Sequence, residues 1–174
     1  MTYQVREPRV VDIEAIAAIN VRAWQHAYAG LMPADFLASQ ESAPRAAALR
    51  ERFRTGTCAP GFVAVDDTGT VAGYCWFGDY RPDDDAPCPP GEGWGEIYAI
   101  YVDPSAIGTG AGGALMTATL EALAPRPVAL WVLEGNAPAR GFYEHAGFRP
   151  DGTAADFRAG GLLIPELRYT LRRA

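Results

Sequence analysis

At 174 residues, with 49% hydrophobic and 21% charged, the chain is long enough for one domain with a sizeable core and too apolar to be disordered. A net charge of −6 argues against a nucleic-acid partner, because phosphate backbones are bound through a positive surface. No apolar run approaches the roughly 20 residues that span a bilayer, and the first residues lack a secretory pattern, so no membrane association and a cytoplasmic location are expected.

Every basic residue is arginine, which with the high Ala, Gly and Pro content reads as base composition. Cys58, Cys75 and Cys88 are odd in number and lack C-x-x-C spacing, and His26 and His145 are far apart. Neither a disulfide framework nor a metal site is expected.

In chain order, Tyr3 to Arg9 reads as a first strand, with Pro8 suited to its end. Asp12 caps a helix running to about Tyr28, whose one face holds Ile13, Ile16, Asn20 and Trp24 with Ala17 and Ala23 beside them. An amphipathic turn follows at Asp35 to Leu37. A helix over Ser42 to Arg54 has Pro44 in its first turn and Ala46, Leu49 and Phe53 at helical spacing. Its outer arginines (Arg45, Arg50, Arg52 and Arg54) read as a solvated face. Phe62 to Val65 and Val71 to Phe77 form a hairpin around the turn residues Asp66 to Gly69. Residues 81–93 read as loop. Glu96 to Val102 is a strand, then glycines open a helix that ends near Ala124 before Pro125 and Pro127. Val128 to Leu133 is an apolar strand. Asn136 caps a helix with Pro138 in its first turn, buried positions Ala139, Phe142 and Ala146, and Gly147 at its close. Phe148 to Arg149 and Leu162 to Leu171 read as one or two last strands. The order is an α/β (α+β) mix, a single domain whose first half is antiparallel.

The stretch Asp103 to Gly113 carries the chemistry. Gly108, Gly110, Gly112 and Gly113 immediately precede or begin a helix, whose first N–H groups lack partners and carry partial positive charge. Without Cβ atoms, these glycines let an anion reach those groups, so the stretch predicts a phosphate cradle. Gly108, Gly110 and Gly113 also satisfy G-x-G-x-x-G, with Glu134 about 20 residues on, which is the pattern of an NAD(P)-dependent oxidoreductase. Against that reading, five residues, Asp103 to Ile107, separate strand from glycines, and a hairpin stands where a β-α-β unit belongs.

The segment I-Y-V-D-P-S-A-I-G-T-G-A-G-G-A-L-M resembles the acyl-CoA motif of the GNAT superfamily of N-acetyltransferases, and N-A-P-A-R-G-F-Y-E-H-A-G-F resembles that family's second motif. The segments V-R-A-W-Q-H-A-Y-A-G-L and V-A-G-Y also look like the family, so the resemblance covers nearly the whole chain. It departs at Ile107, where a Gln or Arg is usual.

The resemblance implies a mixed, twisted sheet of six to seven strands with splayed central strands and about four flanking helices. It implies acetyl-CoA as cosubstrate, its pyrophosphate on the N–H groups of Ile107, Gly108, Thr109, Gly110, Ala111, Gly112 and Gly113. Pantetheine would pair with backbone at Ile100, Tyr101 and Val102 and bond to Asn136. Arg140, one turn on, could reach a phosphate or be an ordinary surface arginine.

Acetyl transfer to an amine needs a neutral nucleophile and a leaving thiolate. An amine of pKa about 10.4 costs roughly 4.6 kcal/mol to neutralise at pH 7, so a base or a desolvating pocket is required. Glu96 is the candidate base, acting through a water. Period-2 alternation puts it on one face with Tyr98, Ile100 and Val102; it also reads as a solvated strand-end carboxylate. Tyr143, at the family's motif tyrosine, is the candidate general acid, since a phenol is protonated at pH 7. His26 and His145 read as helix-surface residues, and Cys75 and Trp76 as strand packing.

The acceptor is expected to be a small-molecule or peptide amine. Trp24, Tyr28, Tyr80 and Trp94 are candidate walls of its pocket. The acidic run Asp83 to Asp85, with Glu92, would overhang it, or be a solvated loop. A homodimer is compatible with this reading, and a non-catalytic acyl-CoA-binding or sensor module is the competing class.

Overall fold

The computed structural model describes residues 2–82, 89 and 93–172. The acidic run at Asp83 to Asp85, Cys88 and Glu92 lie outside the described residues. Seven strands form one sheet in the order β1-β2-β3-β4-β5-β7-β6. They are β1 (Gln4–Arg6), β2 (Gly61–Val65), β3 (Val71–Asp79), β4 (Gly95–Val102), β5 (Val128–Leu133), β6 (Arg149–Ala159) and β7 (Leu162–Leu171). The helices among the described residues are α1 (Ile13–Ala27), α2 (Ala34–Ala38), α3 (Ser42–Thr55), α4 (Ala111–Ala122) and α5 (Ala137–His145). The short amphipathic turn expected at Asp35 to Leu37 is the five-residue helix α2.

Alternation along the strands divides the core. Val63 and Val65 of β2 and Tyr74 of β3 pack against Ile13, Ile16 and Ile19 of α1 and Leu49 of α3. Ala64, Cys75 and Phe77, on the other face, meet Leu115 and Met116 of α4 and Phe148 after α5. The β2–β3 turn forms because Asp66 Oδ1 accepts the N–H groups of Thr68 and Thr70, both at 2.9 Å, while Gly69 takes φ +86°.

All pairings are antiparallel except β4–β5, which is parallel and short: only Gly95, Glu96 and Ile97 face Val128, Ala129 and Leu130. Beyond Ile97 the two strands part. The cause is visible in the β3–β4 register, where Trp76 pairs with Ala99 but Phe77 pairs with Ile97, leaving Tyr98 as an extra residue. Such a bulge bends its strand and increases the local twist. Gly78 permits it, since a Cβ there would stand 2.4 Å from the Tyr98 hydroxyl, which donates to the Asp79 carbonyl at 2.7 Å.

The bulge also corrects the expected facing of β4. An extra residue flips every side chain beyond it. Ile97, not Glu96, therefore shares a face with Ile100 and Val102, which pack on the α4 side. Glu96 falls on the face of Ala99 and Tyr101, which pack on the α1 side. The dinucleotide reading is likewise overturned, because a sheet with a single parallel pair is not the doubly wound parallel sheet that reading requires.

β6 is the other departure. Its eleven residues include Pro150 and Gly152, its outer positions are exposed, and its pairing to β7 shifts register between Pro150 and Ala154.

Candidate active site

Where β4 and β5 part, their facing edges leave a cleft of about 1030 Å³ that runs from the start of α4 to α1 and the β6–β7 pair. One end is the glycine stretch. Asp103 accepts the Ser105 N–H at 3.0 Å, which caps a single 3-10 turn (Pro104–Ala106), and Arg22 of α1 donates to Asp103 at 2.8 Å. The connector is thus pinned at its root. Gly108 and Gly110 take φ of +79° and +101°, values open to glycine but costly for other residues, and Gly110 is the residue at which α4 begins.

This backbone path leaves five donors unused: the N–H groups of Gly108, Gly110, Ala111, Gly112 and Gly113 donate to nothing among the described residues. Thr109 N–H goes to the Ala106 carbonyl at 3.3 Å and Ile107 N–H to the Pro104 carbonyl at 3.4 Å. The cradle therefore centres on Gly108 and Gly110 to Gly113, with Ile107 and Thr109 shaping it. The Ile107 side chain is exposed and Thr109 Oγ1 bonds to the Tyr3 hydroxyl at 2.7 Å. A Cβ at Gly113 would meet nothing of the protein within 4 Å. Five unused N–H groups around a helix N-terminus suit a diphosphate.

Along the cleft, Ala99 to Val102 of β4 pair with β3 on one side and have no β5 partner on the other. The edge at Ile100, Tyr101 and Val102 is thus open to an extended ligand with amide groups. Facing it, Asn136 is buried and uses Oδ1 to accept the Ala139 N–H at 3.2 Å, the cap expected from sequence. Its amide nitrogen makes no hydrogen bond among the described residues.

Tyr143 lines the cleft from α5, its ring 5.5 Å from Phe142. Burial, with Tyr101 and Cys75 nearby, pushes its phenol above the usual range, so it holds its proton throughout the physiological range. Glu96 lines the floor and is 4% exposed. Its carboxylate is already bound: Arg81 Nη2 donates to Oε1 at 2.9 Å and the Arg81 backbone N–H to Oε2 at 2.9 Å. The Arg81 guanidinium lies 3.7 Å from the Tyr98 ring centroid.

Arg140 is not in the cleft wall; its Nε donates to the Tyr169 hydroxyl and its Nη1 to the Glu134 carbonyl, both at 3.0 Å. It ties α5 to the sheet. Tyr80 and Trp94 are not walls either, since they are buried with Ala129. Trp24 and Tyr28 do line the cleft. Among the residues that sequence reading missed, Arg81, Trp131, Phe157 and Glu166 line it from four separate segments, and His26 and His145 border it. No spacing signal links them; only the sheet order brings them together.

Comparison with known proteins fits this geometry. Residues 19–148 match the Acetyltransferase (GNAT) family. The uncharacterized N-acetyltransferase YuaI of Bacillus subtilis is 31% identical over 168 residues, covering 94% of this chain and 89% of its own. In fold, the chain is similar to a phosphinothricin acetyltransferase of Sinorhizobium meliloti solved with AcCoA (TM-score 0.71, 22% identity, 98% and 88% of the two chains). It is also similar to the PaiA N-acetyltransferase of Thermoplasma acidophilum solved with coenzyme A (TM-score 0.67, 18% identity, 95% and 98%). A cleft between splayed strands with a donor-rich helix start at one end defines an acyl-CoA-type transferase fold. The chain belongs to the acetyltransferase (GNAT) family.

Proposed function

We propose that this N-acetyltransferase works in the cytoplasm, transferring the acetyl group of acetyl-CoA to a primary amine by direct attack within a ternary complex. The observation that carries the reading is the set of unused N–H groups at Gly108, Gly110, Ala111, Gly112 and Gly113, at one end of a cleft whose β4 edge is open beyond Ile97. Those donors receive the pyrophosphate. The open edge at Ile100 to Val102 and the free Asn136 amide nitrogen receive the pantetheine amides, and the thioester then lies toward Tyr143.

The amine nitrogen attacks the thioester carbonyl, the carbon–sulfur bond breaks, and the sulfur leaves as thiolate. Tyr143, fully protonated, hydrogen-bonds or protonates that thiolate. Transfer from a phenol of ordinary pKa about 10 to a thiol of about 8.5 is uphill by roughly 2 kcal/mol, and burial makes it costlier for Tyr143, which favours a hydrogen bond to the thiolate over full transfer. The amine's proton passes through a water to Glu96, which lies on the α1 side, where an acceptor would enter opposite the cosubstrate. Its pairing with Arg81 sets a condition on this role: the guanidinium must yield one carboxylate oxygen to the water.

Similar proteins are named for different substrates (ribosomal-protein alanine in one, phosphinothricin in another), so membership alone does not define the acceptor. The deciding experiment is CoA release across a panel of amines, with acetyl-CoA binding measured alongside. Release with at least one amine supports the transferase. Tight acetyl-CoA binding without release from any amine is the behaviour of a binding or sensor module.

A further inference from the structure

We infer that the acceptor half of the cleft takes a primary amine carried on an aromatic or other flat apolar body, bound between Trp24, Tyr28 and Phe157 with its nitrogen at the Tyr28–Tyr101 hydroxyl pair. The inference rests on the acetyl-transfer reading and adds the substrate class. Three rings from α1 and β6 form the corner. Trp24 meets Tyr28 edge to face at 5.3 Å and 82°, and Phe157 at 6.1 Å and 68°. All three line the cleft. Arg45 covers Trp24 at 5.0 Å, which fixes the indole in place.

At the inner edge of this corner the Tyr28 and Tyr101 hydroxyls lie 2.9 Å apart. One donates to the other, so the pair retains one proton to give and lone pairs to accept. That is the complement of a neutral amine, which has a lone pair to accept with and N–H groups to give. Burial raises both phenols above their usual range, which keeps the pair uncharged. Tyr143, the expected acid, lines the same cleft as the pair. Neutral amines are favoured over ammonium ions against an apolar wall that limits access of water.

The charges nearby do not suit a polycation or a dicarboxylate. Glu96 is occupied by Arg81, and Arg81 is in turn occupied by Glu96 and the Tyr98 ring. Glu166 is the one other carboxylate lining this cleft among the described residues, and it too has an interaction within the protein.

The test uses the full chain at saturating acetyl-CoA and reads CoA release with phenethylamine, tryptamine, spermidine and L-glutamate, with acetyl-CoA affinity measured by calorimetry. The aromatic amines should exceed the other two by at least ~10-fold in kcat/KM. Tyr28→Phe and Phe157→Leu, which keep a ring or an apolar group in the corner, should each raise KM for tryptamine ~5-fold or more with acetyl-CoA affinity nearly unchanged. Preference for spermidine or L-glutamate, no release from an aromatic amine, or an unmoved KM in both variants overturns the inference while the acyl-CoA site stands. Absence of acetyl-CoA binding overturns the parent reading and this inference together.

Discussion

The Glu96 carboxylate is clasped twice by Arg81, by Nη2 at 2.9 Å and by the backbone N–H of the same residue at 2.9 Å. Glu96 is buried, whereas the Arg81 side chain is 61% exposed. The pair therefore couples an acid on the cleft floor to a movable cation at its rim.

Arg81→Met removes the cation and keeps the backbone donor. If Glu96 receives the amine's proton, the guanidinium that holds its carboxylate in place matters for turnover, so kcat/KM for the amine should fall about 10-fold with acetyl-CoA affinity nearly unchanged. Stability should fall by about 1–2 kcal/mol, less than for a fully buried pair because the Arg81 side chain is 61% exposed. Steady-state rates with calorimetry read the first effect and urea unfolding the second. An unchanged kcat/KM would remove the Arg81–Glu96 pair from the mechanism.

Tyr143→Phe keeps the ring between Phe142 and Phe148 and deletes only the hydroxyl. Turnover should fall about 10²-fold, with acetyl-CoA affinity changed less than about twofold, because the hydroxyl acts on the leaving thiolate. Burial raises this phenol, so the native enzyme's rate should show no alkaline fall attributable to it below about pH 10. Unchanged turnover in the variant would take Tyr143 out of the mechanism.

Much of this site is written in local sequence. The four glycines ahead of and inside the first turn of α4, Asn136 as a cap, and Gly147 with φ +98° at the close of α5 are short-range features, and each stands where the residues imply. β6 was not legible. The run R-P-D-G-T-A-A-D-F-R-A has two helix- and strand-breaking residues and a polar outer face, and only its ladder with β7 makes it a strand. The face of Glu96 was not legible either, because strict alternation fails at Tyr98 and a bulge is set by the partner strand. Arg140 read equally as a phosphate contact and as a surface arginine, and its partner Tyr169, 29 residues away across the sheet, is beyond what local spacing reveals.

Asp12 gives the fold a dependence on acid. It is buried, and its carboxylate accepts Arg6 Nη1 at 2.7 Å and Nη2 at 2.9 Å, and the Arg9 N–H at 2.7 Å. The Arg6 bonds hold it below the usual carboxylate range. A carboxyl depressed by folding adds stability that is complete above its unfolded value of about 3.9 and disappears as pH falls through the folded value. Asp12→Asn should cost about 1.5–3 kcal/mol at pH 7, the range for bonds to charged groups. The gap between native and variant should narrow below about pH 4, read from urea midpoints at each pH. A gap independent of pH would mean that the ion pair is not its source.

Gly113→Ala separates the two demands on the start of α4. The residue is helical without positive φ, and an added Cβ meets nothing of the protein within 4 Å. Alanine in a helix is favoured over glycine by about 1 kcal/mol, so thermal stability of the free protein should rise. If the diphosphate lies against the backbone at Gly113, the same methyl group would crowd it. Acetyl-CoA affinity should therefore drop, by about tenfold if the anion must withdraw from one donor, since a hydrogen bond to a charged group contributes about 1.5–3 kcal/mol. Gly110→Ala is the contrast: at φ +101° the side chain is strained, so both stability and affinity should fall. Melting temperatures and calorimetric titration of the two variants check the pair. A Gly113→Ala protein that is stabilised and binds acetyl-CoA as tightly as before would place the diphosphate elsewhere.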